Sequence, residues 1–490
     1  MPLNKSISRE SNSASVAASQ SPRSKVLVTG AGPAGIVAAI AAAREGAHTT
    51  IIEQNGFVGG VAGMGLGLQG FYDTSARRVI GGIPWEIVRR MVETGLCVIM
   101  RNDDDPTDAF YLSRYIRFNP ELFKRISTEM LLEAGVNMIS RSMVTGIVRE
   151  ANRVTGVQIE NKSGPSKILA DCLIDCTGDG DLAARAGAEH ELGRRGDGVM
   201  QPMTMLFFLS HVNVPKAEQA KVLTRQPWNV VEPERLVGKV NSYRLDLARW
   251  TEQLTKAIPE VPKITGTNFH DYGNGIFHTG NFIHISHLDG SNGEQLSRAE
   301  TVGRTVVWRL VEFLQKNVPG FESVNLVQIA THVGVRETRR IQGHYYLTVE
   351  DARKARQFDD NVLQCGNLMD IHDSYASDYV KLDAGTQIEG GRSFGMPYRC
   401  LVPRGIKGLL MAGRCVSGSR EAQSSFRVMG TCMAMGQAAG TAAALAVRTR
   451  IDPDSLDSQV LRNRLLTVGA IVDTPGELAE ANSPSVEINA

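Results

Sequence analysis

No sign of charge is in surplus in this 490-residue chain: 53 Lys and Arg stand against 52 Asp and Glu, a net of +1. A dedicated nucleic-acid binder carries a basic footprint, so any recognition of an anion here must be local. Cysteine is sparse and scattered. The seven residues, at 97, 172, 176, 365, 400, 415 and 432, form no CxxC pair and no cluster, which argues against iron–sulfur or zinc ligation and against a disulfide framework. Odd in number and set in apolar segments, they read as reduced packing residues of a cytoplasmic protein. Long apolar runs are missing too: none reaches the roughly 18 residues of a membrane span, so no membrane partner is expected. Residues 1–24 are rich in serine and lack the apolar centre of a secretory signal. No amphipathic basic helix can be drawn through them, so they read as a disordered tail rather than a transit peptide.

What is present is enough apolar material, 42% of residues, to fill a sizeable core over two or three domains. Lys25 to Thr29 is a short apolar strand, Pro33 to Gly46 has helical spacing, and Thr49 to Ile52 is a second strand: a βαβ unit. A glycine-rich loop, NGFVGGVAGMGLGLQG, follows. Helical patterns come at 84–93 and at 120–134, where Asn119 precedes a proline in the first helical position. Strand-like segments over 136–175 read as a meander returning to a buried strand. From 189 to 395 apolar strands mix with charged helices, expected near 232–257 and 294–317, and this region reads as an inserted α+β domain. Residues 396–470 return to nucleotide-fold character, with GLLMAG as a buried strand and 429–447 as a small-residue helix. The expected architecture is α/β: a discontinuous Rossmann-like domain at 25–188 and 396–470, with parallel sheet and meander, a substrate domain at 189–395, and a tail at 471–490.

Gly30, Gly32 and Gly35 form GxGxxG between a strand and a helix, and Glu53 ends the second strand. The glycines serve the tight turn, close approach to a pyrophosphate, and helix-on-strand packing, while the helix N-terminus favours negative charge. Glu53 suits the two hydroxyls of an unphosphorylated adenosine ribose, hence FAD or NAD rather than NADP. A second literal match at Gly65, Gly67 and Gly70 has no preceding strand and no terminal acid, and is rejected. No later GxGxxG in context marks a separate NAD(P)H domain, which weighs against a disulfide-reductase type of flavoenzyme.

Three further stretches complete the pattern: EQNGFVGG after the ribose acid, ADCLIDCTGDGDLAARAGA at 170–188, and GIKGLLMAGRCVSGSREAQSSFRVMGTCMAMGQAAGTAAALA near the C-terminus. With these the chain resembles the FAD-dependent oxidoreductases of the glutathione-reductase-like superfamily, close to the fumarate reductase and succinate dehydrogenase flavoproteins, over about 26–188 and 325–447. The resemblance implies that Gly30, Gly32, Pro33, Ala34 and Gly35 cradle the pyrophosphate, Glu53 and Gln54 meet the ribose end, and Gly59 and Gly60 pass beside phosphates and flavin. Val144 would contact adenine, Thr177 and Gly178 the adenosine end, and Gly413 the ribitol. The helix starting near Gly430 and Thr431 would aim its positive end at the flavin, with Arg427 just before it. In many relatives an acid follows the glycine at 413; here Arg414 follows. Residues 54–70 contain no histidine for a covalent link, so noncovalent FAD is expected.

A flavin dehydrogenase also needs an anchor for its substrate and a group that moves a proton. The anchor candidate is VRETRRIQGHYY: helical spacing would put Arg336, Arg339 and Arg340 on one face, and strand spacing Arg336 and Arg340. Arg336 and Arg339 are the expected site residues, Arg340 the partner of an acid. For the proton, His278 in NFHDYGNGIFHTGNFIHISH is favoured and His344 competes; the spacing of the four histidines there matches no zinc motif. The expected function is hydride transfer between flavin N5 and a small polar or anionic substrate, with an unspecified electron acceptor and an oligomeric state left open. A flavin monooxygenase and an electron-transfer subunit docked to an iron–sulfur partner are the alternatives. An RNA-modifying flavoprotein is opposed by the balanced charge.

Overall fold

The computed structural model describes residues 23–102, 115–226, 228–232, 238–239, 241–259, 266–271, 275–279, 282–372 and 387–474. Its central sheet runs Asn137–Ile139, Thr49–Ile52, Arg23–Thr29, Gly164–Asp175, Arg153–Asn161 and Met143–Glu150, with Leu409–Met411 also beside Gly164–Asp175. The 164–175 strand is double in character. Its first half pairs antiparallel with the meander, and its second half runs parallel to Arg23–Thr29 and to Leu409–Met411. One chain thus joins the Rossmann-like parallel sheet to the expected meander, and both ends of the sequence contribute. Arg23 and Ser24, expected in the disordered tail, already pair with Leu169 and Ala170; residues 1–22 lie outside the described part. At the other end Val472 is buried and its carbonyl accepts from Gln364, so packing extends into the expected 471–490 tail.

The helix Pro33–Arg44 lies against the sheet and against the helix Met429–Thr449. Alanine and glycine dominate both, and the axes come close enough that a Cβ on Gly436 would sit 2.1 Å from the Ala34 carbonyl oxygen, and one on Gly440 2.2 Å from that of Ala38. Overlap with backbone cannot be relieved by rotating a side chain. Gly440→Ala is expected to destabilise the fold by about 1–3 kcal/mol, read as a lowered unfolding midpoint; an unchanged midpoint would show that the two helices slide freely.

A second core gathers Phe207, Leu209, Tyr243, Leu245, Phe269 and Phe277 under the helix Gly293–Asn317. These side chains are one face of a six-stranded antiparallel sheet in the order Leu223–Arg225, Ser242–Asp246, Gly266–Asp271, Phe277–Thr279, Phe207–Ser210, Asn325–Ile329. The alternate residues Arg244, Asn268, His270, His278 and Phe208 belong to the opposite face. That polar face is a wall of the site described below.

Two sequence expectations are corrected here. Among the described residues of 232–257 helix begins only at Ala248, as a 3-10 turn leading into the helix Thr251–Ala257; the strand Ser242–Asp246 precedes, with Tyr243 and Leu245 buried and Arg244 and Asp246 exposed. Period two over five residues overrides the charged composition that suggested helix. The boundary expected near 395 falls within one core: Ile341, Leu347, Leu363, Phe394 and Met396 lie in the first, whereas the second takes Met64 and residues from Met203 to Val333. The reason is the strand pair Asn361–Cys365 with Phe394–Pro397, which packs on the Met429–Thr449 helix. Apolar strands look alike in either core. The expected helices at 84–93, 120–134 and 294–317 are found at Gly82–Glu93, Pro120–Glu133 and Gly293–Asn317, the second capped by the Asn119 side chain.

Candidate active site

At the end of the first strand the chain turns through Gly30, whose φ of +89° and whose approach to the Cys176 carbonyl oxygen (2.6 Å from an added Cβ) leave room for no side chain. A Cβ on Gly35 would lie 1.8 Å from the Gly30 oxygen, so the helix seats directly on the turn. Gly32, the N-cap between them, is different. A Cβ there would meet nothing within 4 Å, and one on Gly413 would meet only Ala34, at 3.8 Å. Open space beside a helix N-terminus is what a pyrophosphate requires. The following loop crosses this turn: the Gly59 amide donates to the Ala31 carbonyl at 2.8 Å, and a Cβ on Gly60 would touch Gly32.

Glu53 is buried at the end of its strand, its carboxylate accepting from the Ala31 amide at 2.7 Å and from Asn55 at 2.8 Å. Val144 lies half-buried on the edge strand that the Ser142 amide ties to the Glu53 carbonyl. Gln54 and Thr177 line the cavity, whereas Gly178 is covered by the Arg414 guanidinium. Arg414, at the position where the resemblance implies an acid, pairs with Asp179 at 2.7 Å. At the second helix N-terminus it is Val428 and Met429 that line the cavity. Gly430 and Thr431 pack instead on the 69–71 segment: a Cβ on Gly430 would be 2.6 Å from the Gln69 oxygen, and the Thr431 hydroxyl is fully buried beside Gly70. The open ground at Gly32 and Gly413 and the buried Glu53 carboxylate fit FAD.

The cavity, of about 620 Å³, continues from Gln54 and Thr177 to the polar face of the six-stranded sheet. Arg336 is in its wall although only 7% exposed, and donates to the Pro202 carbonyl at 2.5 Å. The neighbouring arginines go elsewhere. Arg339 donates to Asp181 at 2.9 Å and to the Asp179 carbonyl at 3.1 Å, and Arg340 to Glu337 at 2.6 Å and Glu191 at 3.2 Å. The expected shared face is therefore absent. The chain is irregular through Arg336 and becomes strand only at Arg339–Ile341, which sends the three side chains three ways. Glu337 is buried between Arg340 and Arg420.

His278 lines the cavity, directly opposite His270 across the strands and 4.8 Å from the Phe208 ring. His344 is exposed and its backbone is tied to Val402, away from the cavity wall. Arg427 lies in the wall, and its guanidinium donates to the Asp370 carbonyl at 2.8 Å and to its carboxylate at 3.3 Å. Asp370 and His372 were not singled out from the sequence, because NLMDIHD carries no motif; only its position after a buried strand marks it. Among the described lining residues four arginines, 244, 336, 414 and 427, face three carboxylates, Asp179, Glu300 and Asp370.

Burial is the main cause that lowers the proton affinity of four histidines near this space: His278 to about 3, His284 to about 2, His372 to about 4, and His270 well below the ordinary 6.5. Arg117 adds to the effect at His270 and His278, while Asp370 partly opposes it at His372. Depressed folded-state values mean that the unfolded chain binds more protons below about pH 6.5, so stability is complete above that pH and falls as pH drops toward 4. The slope is expected to exceed that of one proton, ~1.4 kcal/mol per pH unit, in urea midpoints taken between neutral pH and pH ~5. A midpoint independent of pH over that interval would mean that these imidazoles are solvated.

Among the described residues no helix is long and apolar enough to cross a membrane, and all seven cysteines are buried and free of disulfides. Thiamine thiazole synthase of Aeropyrum pernix is 28% identical over 184 residues, covering 34% of this chain and 59% of that protein. Digeranylgeranylglycerophospholipid reductase 1 of Methanococcoides burtonii is 25% identical over 158 residues, 31% of this chain and 37% of the reductase. The chain thus spans less than two thirds of either relative. A solved geranylgeranyl bacteriochlorophyll reductase-like protein of Thermoplasma acidophilum aligns over 92% of both chains at 14% identity, with a TM-score of 0.43. The family model for FAD dependent oxidoreductases matches residues 25–465, from the glycine turn through both cores to the last helix, and the chain belongs to that family.

Proposed function

We propose that this oxidoreductase moves a hydride between noncovalently held FAD and a small organic anion, with Arg336 and Arg427 holding the anionic group. Bound FAD supplies a ring able to accept or release a hydride at N5. The observation that carries the reading is the excess of arginine over carboxylate in the cavity wall: Arg336 is buried there, and it and Arg427 both act on Asp370. A buried guanidinium is a strong anchor for a carboxylate because its fork matches the two oxygens and little water competes. Arg427 keeps Asp370 as a standing partner, and the Asp370–Arg427 pair fixes that guanidinium at the cavity edge. The polar face bearing Asn268, His270 and His278 would meet the rest of the substrate. Arg339 is assigned to holding Asp181 and the 179 loop.

Purified protein should release its FAD on acid precipitation. Screened anaerobically, small organic acids should include one that bleaches the oxidised flavin or restores colour to the reduced one. Response only to uncharged compounds would end the reading.

A further inference from the structure

We propose that the Arg336–Arg427 end of the cavity is a proton-coupled anion site, in which a carboxylate or similar anion binds together with one proton and His372 takes that proton. The inference rests on the reading that these arginines hold the substrate anion. His372 is 2% exposed, with Nε2 3.3 Å from Asp370 Oδ2. The same Oδ2 accepts from Arg427 at 3.3 Å, so a single carboxylate is shared between imidazole and guanidinium. Each element packed around His372 brings a group. Asp370 comes from its own segment, Arg427 from the end of the 420–426 helix, Arg336 from the stretch before Arg339, and His284 from the strand His284–Ile285, its ring edge-on at 5.3 Å. Gln201 Oε1 accepts from the His372 amide, and Glu337 acts on Arg427 from behind. Nε2 of His284 is buried with no hydrogen-bond partner among the described residues, a polar atom left over in the same corner.

Charge decides the behaviour of this cluster. Burial, Arg336 and Arg427 oppose a proton on His372, and Asp370 favours one; the imidazole is neutral when the site is empty, with a value of about 4. An anion on the two arginines cancels their field at His372 and leaves Asp370 in place, so that only burial still opposes the proton and the imidazole's proton affinity rises. Linkage makes the effect mutual: the proton strengthens the anion as much as the anion strengthens the proton. His270 and His278 lie by contrast under the influence of a cation, Arg117. The substrate class that follows is an acid, bound more tightly as pH falls.

The test is calorimetry of the FAD-loaded protein near pH ~6 with trifluoroacetate, and with sulfate, in two buffers of different ionisation enthalpy; neither probe brings a proton of its own there. About half a proton or more should be taken up per anion, with affinity rising by up to about tenfold per pH unit on acidification. His372→Gln should bind the anion without uptake, and Asp370→Asn should reduce the uptake. Binding by the wild type with no proton uptake, or full uptake retained in His372→Gln, would overturn the proposal. The wild-type result needs no variant to fold. If neither probe binds, or if Arg336→Gln binds them as well as the wild type, the underlying anion reading falls, and the coupling with it.

Discussion

Gly32→Ala is expected to give a chain that folds as before but binds FAD at least tenfold more weakly, a loss of ~1.4 kcal/mol or more. The two halves of that expectation have different causes. A Cβ at position 32 meets nothing within 4 Å in the protein itself, and replacing an N-cap glycine by alanine costs about 1 kcal/mol at most. The stability of the apoprotein should hardly move. The space that the methyl enters is, however, the open ground in front of the helix where a phosphate must approach the backbone. Gly35→Ala provides the contrast: its Cβ would stand 1.8 Å from the Gly30 carbonyl oxygen, so the helix must leave the turn, and fold and cofactor should be lost together. Flavin absorbance per chain after reconstitution, beside a urea midpoint for each variant, separates the two. Full FAD binding by Gly32→Ala would show that the pyrophosphate lies elsewhere.

Arg336→Lys is expected to keep the yellow cofactor and to slow reaction with substrate by ~100-fold or more, ~2.7 kcal/mol, because Arg to Lys is not a conservative change at a bidentate site. The charge survives the change. What is lost is the planar fork and its reach, because an ammonium is a point donor that cannot hold Pro202 and both oxygens of an anion at once. Arg339→Lys should stay within about threefold of wild type, since Arg339 and its partner Asp181 lie outside the cavity wall and a lysine can meet one carboxylate. Rates of anaerobic bleaching for the two variants, with flavin content as the control, decide the matter. Equal losses would place both arginines in the site, and no loss in Arg336→Lys would remove it.

Much of the nucleotide half was legible because its chemistry is local. Gly30, Gly32, Gly35 and Glu53 lie within one βαβ unit, where spacing alone dictates the turn, the cap and the strand end. The meander was legible for the same reason: turns at 151–152 and 162–163 separate strands that pair with their sequence neighbours. The substrate side depends on register between distant strands, which no periodicity encodes. His270 and His278 face each other only because the hairpin between them sets that register. Asp370 and His372 meet Arg336 and Arg427 from segments 34 to 57 positions away, with no motif to announce them. Arg336, Arg339 and Arg340 show the limit from the other side. Their composition pointed to the site, but an irregular backbone, not an ideal helix or strand, chose which of them enters it.

One comparison tests the arginine anchor most directly: an organic acid that bleaches the flavin anaerobically, set against its own methyl ester. If Arg336 and Arg427 hold the anionic group, the acid reacts and the uncharged ester, with the same reacting carbon, does so at least ~100-fold more slowly. Equal bleaching by acid and ester would contradict the account, because the buried arginines would then take no part in holding the substrate.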